Sequence, residues 1–313
     1  MPALLRRYGV LLLLLVLVAS LPLALPSNYH VRIATLVWIS ALVVMGLNLL
    51  MGYAGQVSLG HAGFFGIGAY AVAILPAHLG VPPLLAFLLG VAAAGLLAFV
   101  VGRPILRLKG YYLAVATLGF GILVAMVLQN EMVWTGGPDG MTVPRLELMG
   151  VRLRSPMTWY WISGGTLLLG MLLAIHLIES PTGRALRAIH DSEIAARVAG
   201  IDAPQAKLAA FVISAVYAAV GGGLLAWVNG LVTPDMAGFL HSIELVAMAV
   251  LGGLGSLLGS VLGAAVLVLL PQLLTLFHEY EQLVLGLVMM LAMIFLRAGI
   301  VPSIAARLGW RAA

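Results

Sequence analysis

Cysteine is absent from all 313 residues. That excludes disulfides, thiolate-bound zinc and thiolate-held iron–sulfur clusters. Charge is nearly as scarce. Asp, Glu, Lys and Arg make up 9% of the chain, against about 25% in an average soluble domain, which rules out an ordinary water-soluble fold. Enzyme signatures are missing too. There is no H-E-x-x-H to hold zinc, no G-x-S-x-G for a serine nucleophile and no pair of intramembrane aspartates. No metal site is expected. There is also no G-x-x-x-x-G-K-S/T, so the chain has no P-loop of its own with which to grip ATP.

What the chain does have is hydrocarbon: 63% of it is hydrophobic. A bilayer core of about 30 Å needs about 20 apolar residues per helix. The expected fold is therefore all-α, a polytopic transmembrane helix bundle filling 1–313 as one transmembrane domain. About ten spans are read, near 8–25, 31–51, 56–76, 82–102, 110–130, 158–178, 205–228, 241–255, 259–277 and 281–296. Pro82, Pro83, Pro181, Pro204 and Pro234 stand at the joints, where helix starts tolerate proline. The first span has a second reading, a signal peptide led by Arg6 and Arg7. The apolar run continues to Pro26 without a clear cleavage site, which favours a helix.

Basic residues set the expected orientation. With ten spans and an inner N-terminus, the inner segments carry Arg6, Arg7, Arg103, Arg107, Lys109, Arg184, Arg187, Arg197, Lys207, Arg297, Arg307 and Arg311. The outer side carries Arg32, Arg145, Arg152 and Arg154. Twelve against four is a strong positive-inside bias, and both termini are expected to be cytoplasmic. The net charge of +5 is then topology and lipid contact, not a nucleic-acid partner. The outer loop, about 131–156, reads as turns with a short hairpin. The inner segment, about 179–202, reads as one helix. Ser180 or Thr182 caps its start, Gly200 ends it, and Arg187–Asp191 and Glu193–Arg197 pair at four-residue spacing. Leu186, Ile189, Ile194 and Val198 form an imperfect apolar stripe.

One stretch fits neither loop nor simple span. "GYAGQVSLGHAGFFGIGAYA", 52–71, places six glycines beside Gln56, Ser58 and His61. Gly52, Gly55, Gly60, Gly63 and Gly66 would let neighbouring helices approach closely. Gln56, Ser58 and His61 are costly toward lipid, so they face either packed protein or a substrate pathway. "GGLGSLLGSVLGAAVLVLLP", 252–271, echoes the pattern with Gly252, Gly253 and Gly255. Glu244, near the outer end of a span, is a further pathway candidate or a partly hydrated group.

These stretches carry a resemblance. "GLNLLMGYAGQVSLGHAGFFGIGAYA", "LKGYYLAVATLGFG", "TGGPDGM", "SPTGRALRAIHDSEIAARVAGID" and "SIELVAMAVLGGLGSLLGSVLGA" are similar, in order, to the branched-chain amino acid ABC permeases of the LivH/LivM family, more to the LivM type. The match runs from about residue 40 to 300. The N-terminus is shorter than in long LivM forms. The resemblance implies a permease in the bacterial or archaeal plasma (inner) membrane. It also implies a LivH-like permease partner, two cytoplasmic ATPase subunits that use ATP, and an outer substrate-binding protein. This chain itself would bind no cofactor. Arg184, Leu186, Arg187, Ile189, Glu193, Ile194, Arg197 and Gly200 would then lie on a coupling helix that docks on an ATPase. "EIAARVAG" resembles the Glu-Ala-Ala…Gly loop of ABC permeases with one extra residue.

Three functions follow as expectations. The first is an ABC importer permease for branched-chain amino acids, with urea or short amides as alternative cargo. The second is a stand-alone ion-coupled transporter, which would need an essential ionisable residue such as Glu244 or His61. The third is an intramembrane hydrolase built on Ser58 and His61.

Overall fold

The computed structural model describes residues 2–148, 151–153, 155–273, 286–287, 290, 294 and 299–307. Among them the chain is helical apart from four two-residue strands, 3-10 turns and short connections. Helix α1 is Pro2–Ala24 and α2 is Asn28–Asn48, continued by a π turn at Leu49–Tyr53. Then come α3 (His61–Leu79), α4 (Pro83–Ile105), α5 (Tyr111–Asn130) and the single turn α6 (Met132–Thr135). Next are α7 (Pro156–Glu179), α8 (Pro181–Asp191), α9 (Glu193–Val198) and α10 (Ala203–Asn229). The rest are α11 (Phe239–Gly252), α12 (Leu257–Leu273) and α13 (Ile300–Arg307).

Among the described residues, six helices are long and apolar enough to cross a membrane: α2 with its π turn, α3, α4, α5, α7 and α10. The apolar parts of α1, α11 and α12 are shorter. Most of the expected tenth span, 281–296, lies outside the described residues. The third expected span is corrected: it starts at His61, not at residue 56, because the chain between Ala54 and Gly60 leaves the helix.

Prolines start helices where a missing N–H costs nothing. Pro83, Pro156, Pro181 and Pro204 all sit in first-turn positions. Burial separates centre from edge. The apolar window of α2 is 89% buried, that of α5 only 22%. Around α2 pack α7, α10 and α12; α10 also packs on α3 and α4, and α11 on α12. The core runs through Met45, Leu47, Phe64, Tyr160 and Phe211.

The connections segregate to two ends. At one end, Gly55 meets His190, Gly52 meets Gly255, and Gly253 meets Gly299. Lys109, Glu193 and Lys207 line a cavity there with Gly55 and Gln56. At the other end, β1 (Met141–Thr142) pairs antiparallel with β4 (Leu231–Val232), Met141 opposite Val232. Arg32 bonds Asn229 at 3.3 Å, and the rings of His78 and Trp134 lie 4.9 Å apart. The expected hairpin in the 131–156 loop is β2 (Glu147–Leu148) with β3 (Val151–Arg152).

Candidate functional site

The glycine-rich break between α2 and α3 is held by side chains from three other helices. In a bilayer, every backbone donor must find a partner inside the protein. The Leu59 N–H donates to Thr117 Oγ1 on α5 (3.1 Å), and the Ala62 N–H donates to Ser242 Oγ on α11 (3.2 Å). Gln56 N–H donates to the Leu50 carbonyl, and its side chain donates to the Ala54 carbonyl.

His61, the first residue of α3, is 1% exposed. Its Nδ1 lies 2.8 Å from Ser58 Oγ and its Nε2 lies 2.7 Å from Ser214 Oγ on α10. Ser214 spends its own proton on the Phe211 carbonyl at 2.9 Å. Its oxygen must therefore accept from Nε2–H, which leaves Nδ1 to accept from Ser58. The ring is flanked by Phe64 and Phe211, both edge-on at 5.9 Å. A hydrolase would need a carboxylate or equivalent orienting the imidazole and open space at Ser58. Ser58 is buried, and the far ring nitrogen binds a serine.

The two glycine-rich breaks are latched to each other. Asn48, wholly buried near the end of α2, donates through Nδ2 to the Gly253 carbonyl (3.2 Å), the Ser256 carbonyl (2.9 Å) and Ser260 Oγ (2.9 Å). Its Oδ1 accepts from Gly255 N–H at 2.8 Å. A Cβ at Gly52 would overlap Gly255 N, so the backbones touch directly. Gly253 and Gly255 have φ of 113° and 78°, in the left-handed half of the map where only glycine is unstrained. The glycines after the break serve packing as well. A Cβ at Gly60 would overlap the Thr117 carbonyl, at Gly63 it would lie 3.2 Å from Gly121 Cα, and at Gly66 it would press on Ala237. Within the second motif, a Cβ at Gly252 would overlap the Gly259 carbonyl.

The segment expected as one helix over 179–202 is two. Ser180 Oγ caps α8 by accepting from Gly183 N–H (3.2 Å), but the chain turns extended at Ser192, which caps α9 through Ala195 N–H (3.3 Å). Gly200, at φ 83°, closes α9: Gly200 N–H bonds the Arg197 carbonyl and Ile201 N–H the Ala196 carbonyl, the pairing of a Schellman cap. The break splits the expected stripe. Leu186 and Ile189 are buried against the chain's own body, so they are corrected from docking contacts to anchors of α8. Ile194 and Val198 point outward, 78% and 85% exposed.

The expected Arg187–Asp191 pair is also replaced. Arg187 donates to the Ile178 carbonyl (2.8 Å) and Arg184 to the Glu179 carbonyl (2.9 Å), satisfying the C-terminal carbonyls of α7. Asp191 lies 3.7 Å from His190 instead.

Glu193 pairs with Arg197 as the spacing implies, and also with a residue the sequence reading left unpaired. Its Oε2 accepts from Lys207 Nζ at 2.7 Å. Lys207 lies in the first turns of α10 and is only 5% exposed. The hydrogen bond from Lys207 holds the Glu193 carboxyl below the usual glutamate range. Partial burial pushes the other way, and the charges of Lys207, Lys109 and Arg197 add to the lowering.

Glu244 sits on α11 with its carboxylate exposed, 3.2 Å from His241 Nδ1. It is two residues from Ser242, which takes the Ala62 N–H at the start of α3. The structure thus joins Ser58 and His61 in one buried chain, puts Gln56 at the cavity wall beside Glu193, and leaves Glu244 outside that hydrogen-bonded chain, exposed and paired with His241. Asn48, Ser214 and Lys207 escaped sequence reasoning. The available signal was a single polar residue within an otherwise apolar span.

The comparisons with known proteins agree on a family. The family described as branched-chain amino acid transport system / permease component matches residues 29–293. The high-affinity branched-chain amino acid transport system permease protein LivM of Escherichia coli is 36% identical over 320 residues, covering 93% of this chain and 74% of that protein. Its LivH counterpart from Escherichia coli is 27% identical over 284 residues, covering 83% and 90%. The autoinducer 2 import system permease protein LsrC of Klebsiella pneumoniae is 32% identical over 195 residues, covering 56% and 52%. No solved structure gives a significant match. The chain therefore belongs to the branched-chain amino acid transport system permease family, and it is a multi-pass membrane permease.

Proposed function

We propose that the chain is the LivM-type half of an ABC importer that moves branched-chain amino acids across the plasma (inner) membrane. It pairs with a LivH-like permease, receives substrate from an outer binding protein, and is driven by two cytoplasmic ATPase subunits. ATP is bound and hydrolysed by those subunits, with this chain binding no cofactor. Its termini and the end bearing the two glycine breaks are cytoplasmic. Arg103, Arg107, Lys109, Arg184, Arg187, Arg197 and Lys207 lie in the segments that meet at that end, and this supports the orientation by the positive-inside rule.

The observation that carries the reading is α9. A six-residue helix leaves Ile194 and Val198 in the open beside Arg197, at the end where ATPases would sit. Two exposed apolar side chains rimmed by a cation suit a partner groove better than water. Docking there would place the ATPase next to the break that begins α3. The relatives' names support a branched-chain substrate; the likeness to an autoinducer 2 permease makes cargo the point to test.

The experiment is uptake by the complete complex reconstituted in liposomes, with labelled leucine, isoleucine, valine, urea and acetamide. ATP-dependent uptake of the three amino acids is expected. Uptake of only urea or the amide would replace the substrate. Uptake driven by an ion gradient without ATP would overturn the importer class. Docking is tested separately: Ile194→Asp with Val198→Asp should abolish co-purification of the ATPase.

A further inference from the structure

We propose that the Glu193–Lys207 ion pair is the mechanical tie that passes movement of α9 into α10, making both residues positioning residues for transport. The proposal rests on the reading of α9 as the docking helix. It differs in what Glu193 does: its carboxylate works inside the chain, not at the ATPase surface.

Helix α9 has two sides. Glu193 and Ala196, three apart, share the inner one, and Ile194 and Val198, four apart, share the outer one. On the inner side apolar contact is slight. Ala196 forms a small cluster with Ile189 and Ala203. The strong link is ionic: one Glu193 oxygen takes Lys207 at 2.7 Å and the other takes Arg197. Lys207 is 5% exposed, so its ammonium is desolvated and depends on this partner. An apolar residue would fill the same space at lower cost. A buried pair instead fixes the position of α9 relative to α10.

The line continues along α10. Ser214 follows Lys207 by seven residues, two turns along the same helix face. Ser214 holds His61 Nε2 at 2.7 Å, and His61 is the first helical residue after the glycine break. A shift of α9 is thus carried from Glu193 to Lys207, along a rigid helix to Ser214, and into the start of α3. The opposite wall has room to respond. Glu193 and Lys207 line a cavity of about 110 Å³ with Gly55, Gln56, Lys109 and Gly110. The break can move there without displacing packed side chains.

The test uses the complete reconstituted complex and reads uptake, ATP hydrolysis and ATPase co-purification together. The variants are Glu193→Gln, Lys207→Met, the double neutral Glu193→Gln/Lys207→Met, and the swap Glu193→Lys/Lys207→Glu. Glu193→Gln leaves the buried Lys207 ammonium without its carboxylate and can fail to assemble, whereas Lys207→Met leaves Glu193 still paired with Arg197, so the two double variants decide. For the double neutral, uptake is expected to fall about tenfold, within the usual range of coupling between linked sites. Co-purification and hydrolysis should stay near the parent level. The swap should regain much of the lost uptake. If the pair served stability alone, the double neutral would transport like the parent, which overturns the proposal. Loss of co-purification in the double neutral would place Glu193 at the ATPase surface and overturn it too, as would a swap that recovers nothing. Failure of the docking reading looks different: Ile194→Asp/Val198→Asp would still co-purify the ATPase.

Discussion

Truncating Asn48 to Ala should separate the two glycine breaks. Its amide makes one accepted and three donated contacts, all to the stretch 253–260 and none within its own helix. The losses are unequal. The Ser256 carbonyl keeps bonds from Ser260, both from the backbone N–H and from Oγ, and the Gly253 carbonyl keeps the Ser256 N–H. The Gly255 N–H is the group left orphaned. An unmade bond to a buried donor costs about 1–3 kcal/mol, and each weakened acceptor adds a few tenths to about 1 kcal/mol. Interhelical bonds in bilayers fall toward the low end, about 0.6 kcal/mol on average. The sum is about 2–3 kcal/mol. Ser260→Ala removes only one of several acceptors for Nδ2, so it should cost well under about 1 kcal/mol. The assay is unfolding of the purified chain in mixed micelles by denaturing detergent, comparing midpoints for Asn48→Ala, Ser260→Ala and the parent. Equal midpoints for Asn48→Ala and the parent would show that the latch holds nothing.

Gly63→Leu should lower both complex yield and uptake, because even a Cβ there comes within 3.2 Å of Gly121 Cα and a leucine would force α3 off α5; unchanged yield and uptake would refute the packing. Glu193 has a folded-state pKa depressed mainly by Lys207. Its contribution to stability should be full at neutral pH and lost as pH falls below the usual glutamate range and through the folded value. Melting temperatures of the parent and Glu193→Gln should accordingly differ at pH 7 and converge toward acid, and a gap independent of pH would refute the pairing. The chain has no native cysteine, so single-cysteine labelling reads its orientation cleanly. Ala199→Cys should react with a membrane-impermeant maleimide only after cell lysis, and Thr142→Cys in intact cells; the reverse pattern would invert the topology.

How much of this could be read without the fold is clearest at particular residues. Composition alone dictates helices in a membrane, because 9% charge cannot solvate a surface and a bilayer leaves backbone groups no other partners. Prolines in first-turn positions give several helix starts to within a few residues, since a proline's missing N–H costs nothing there. The Glu193–Arg197 pair and the Gly200 stop are local geometry, and local spacing finds them. The resemblance carried by the motifs of 46–71 and 180–202 gave the family as well. Three things depend on contacts between residues far apart in the chain. Asn48 bonds groups more than 200 positions away, and nothing near it distinguishes it from any other isolated polar residue. Lys207 looks like one more cation near a helix start until the fold buries it against Glu193. The apolar stripe of 186–198 reads as a single face because periodicity assumes an unbroken helix. The turn at Ser192 sends Leu186 and Ile189 inward and Ile194 and Val198 outward. Periodicity tells which residues share a helix face; only packing decides whether that face meets protein, lipid or a partner.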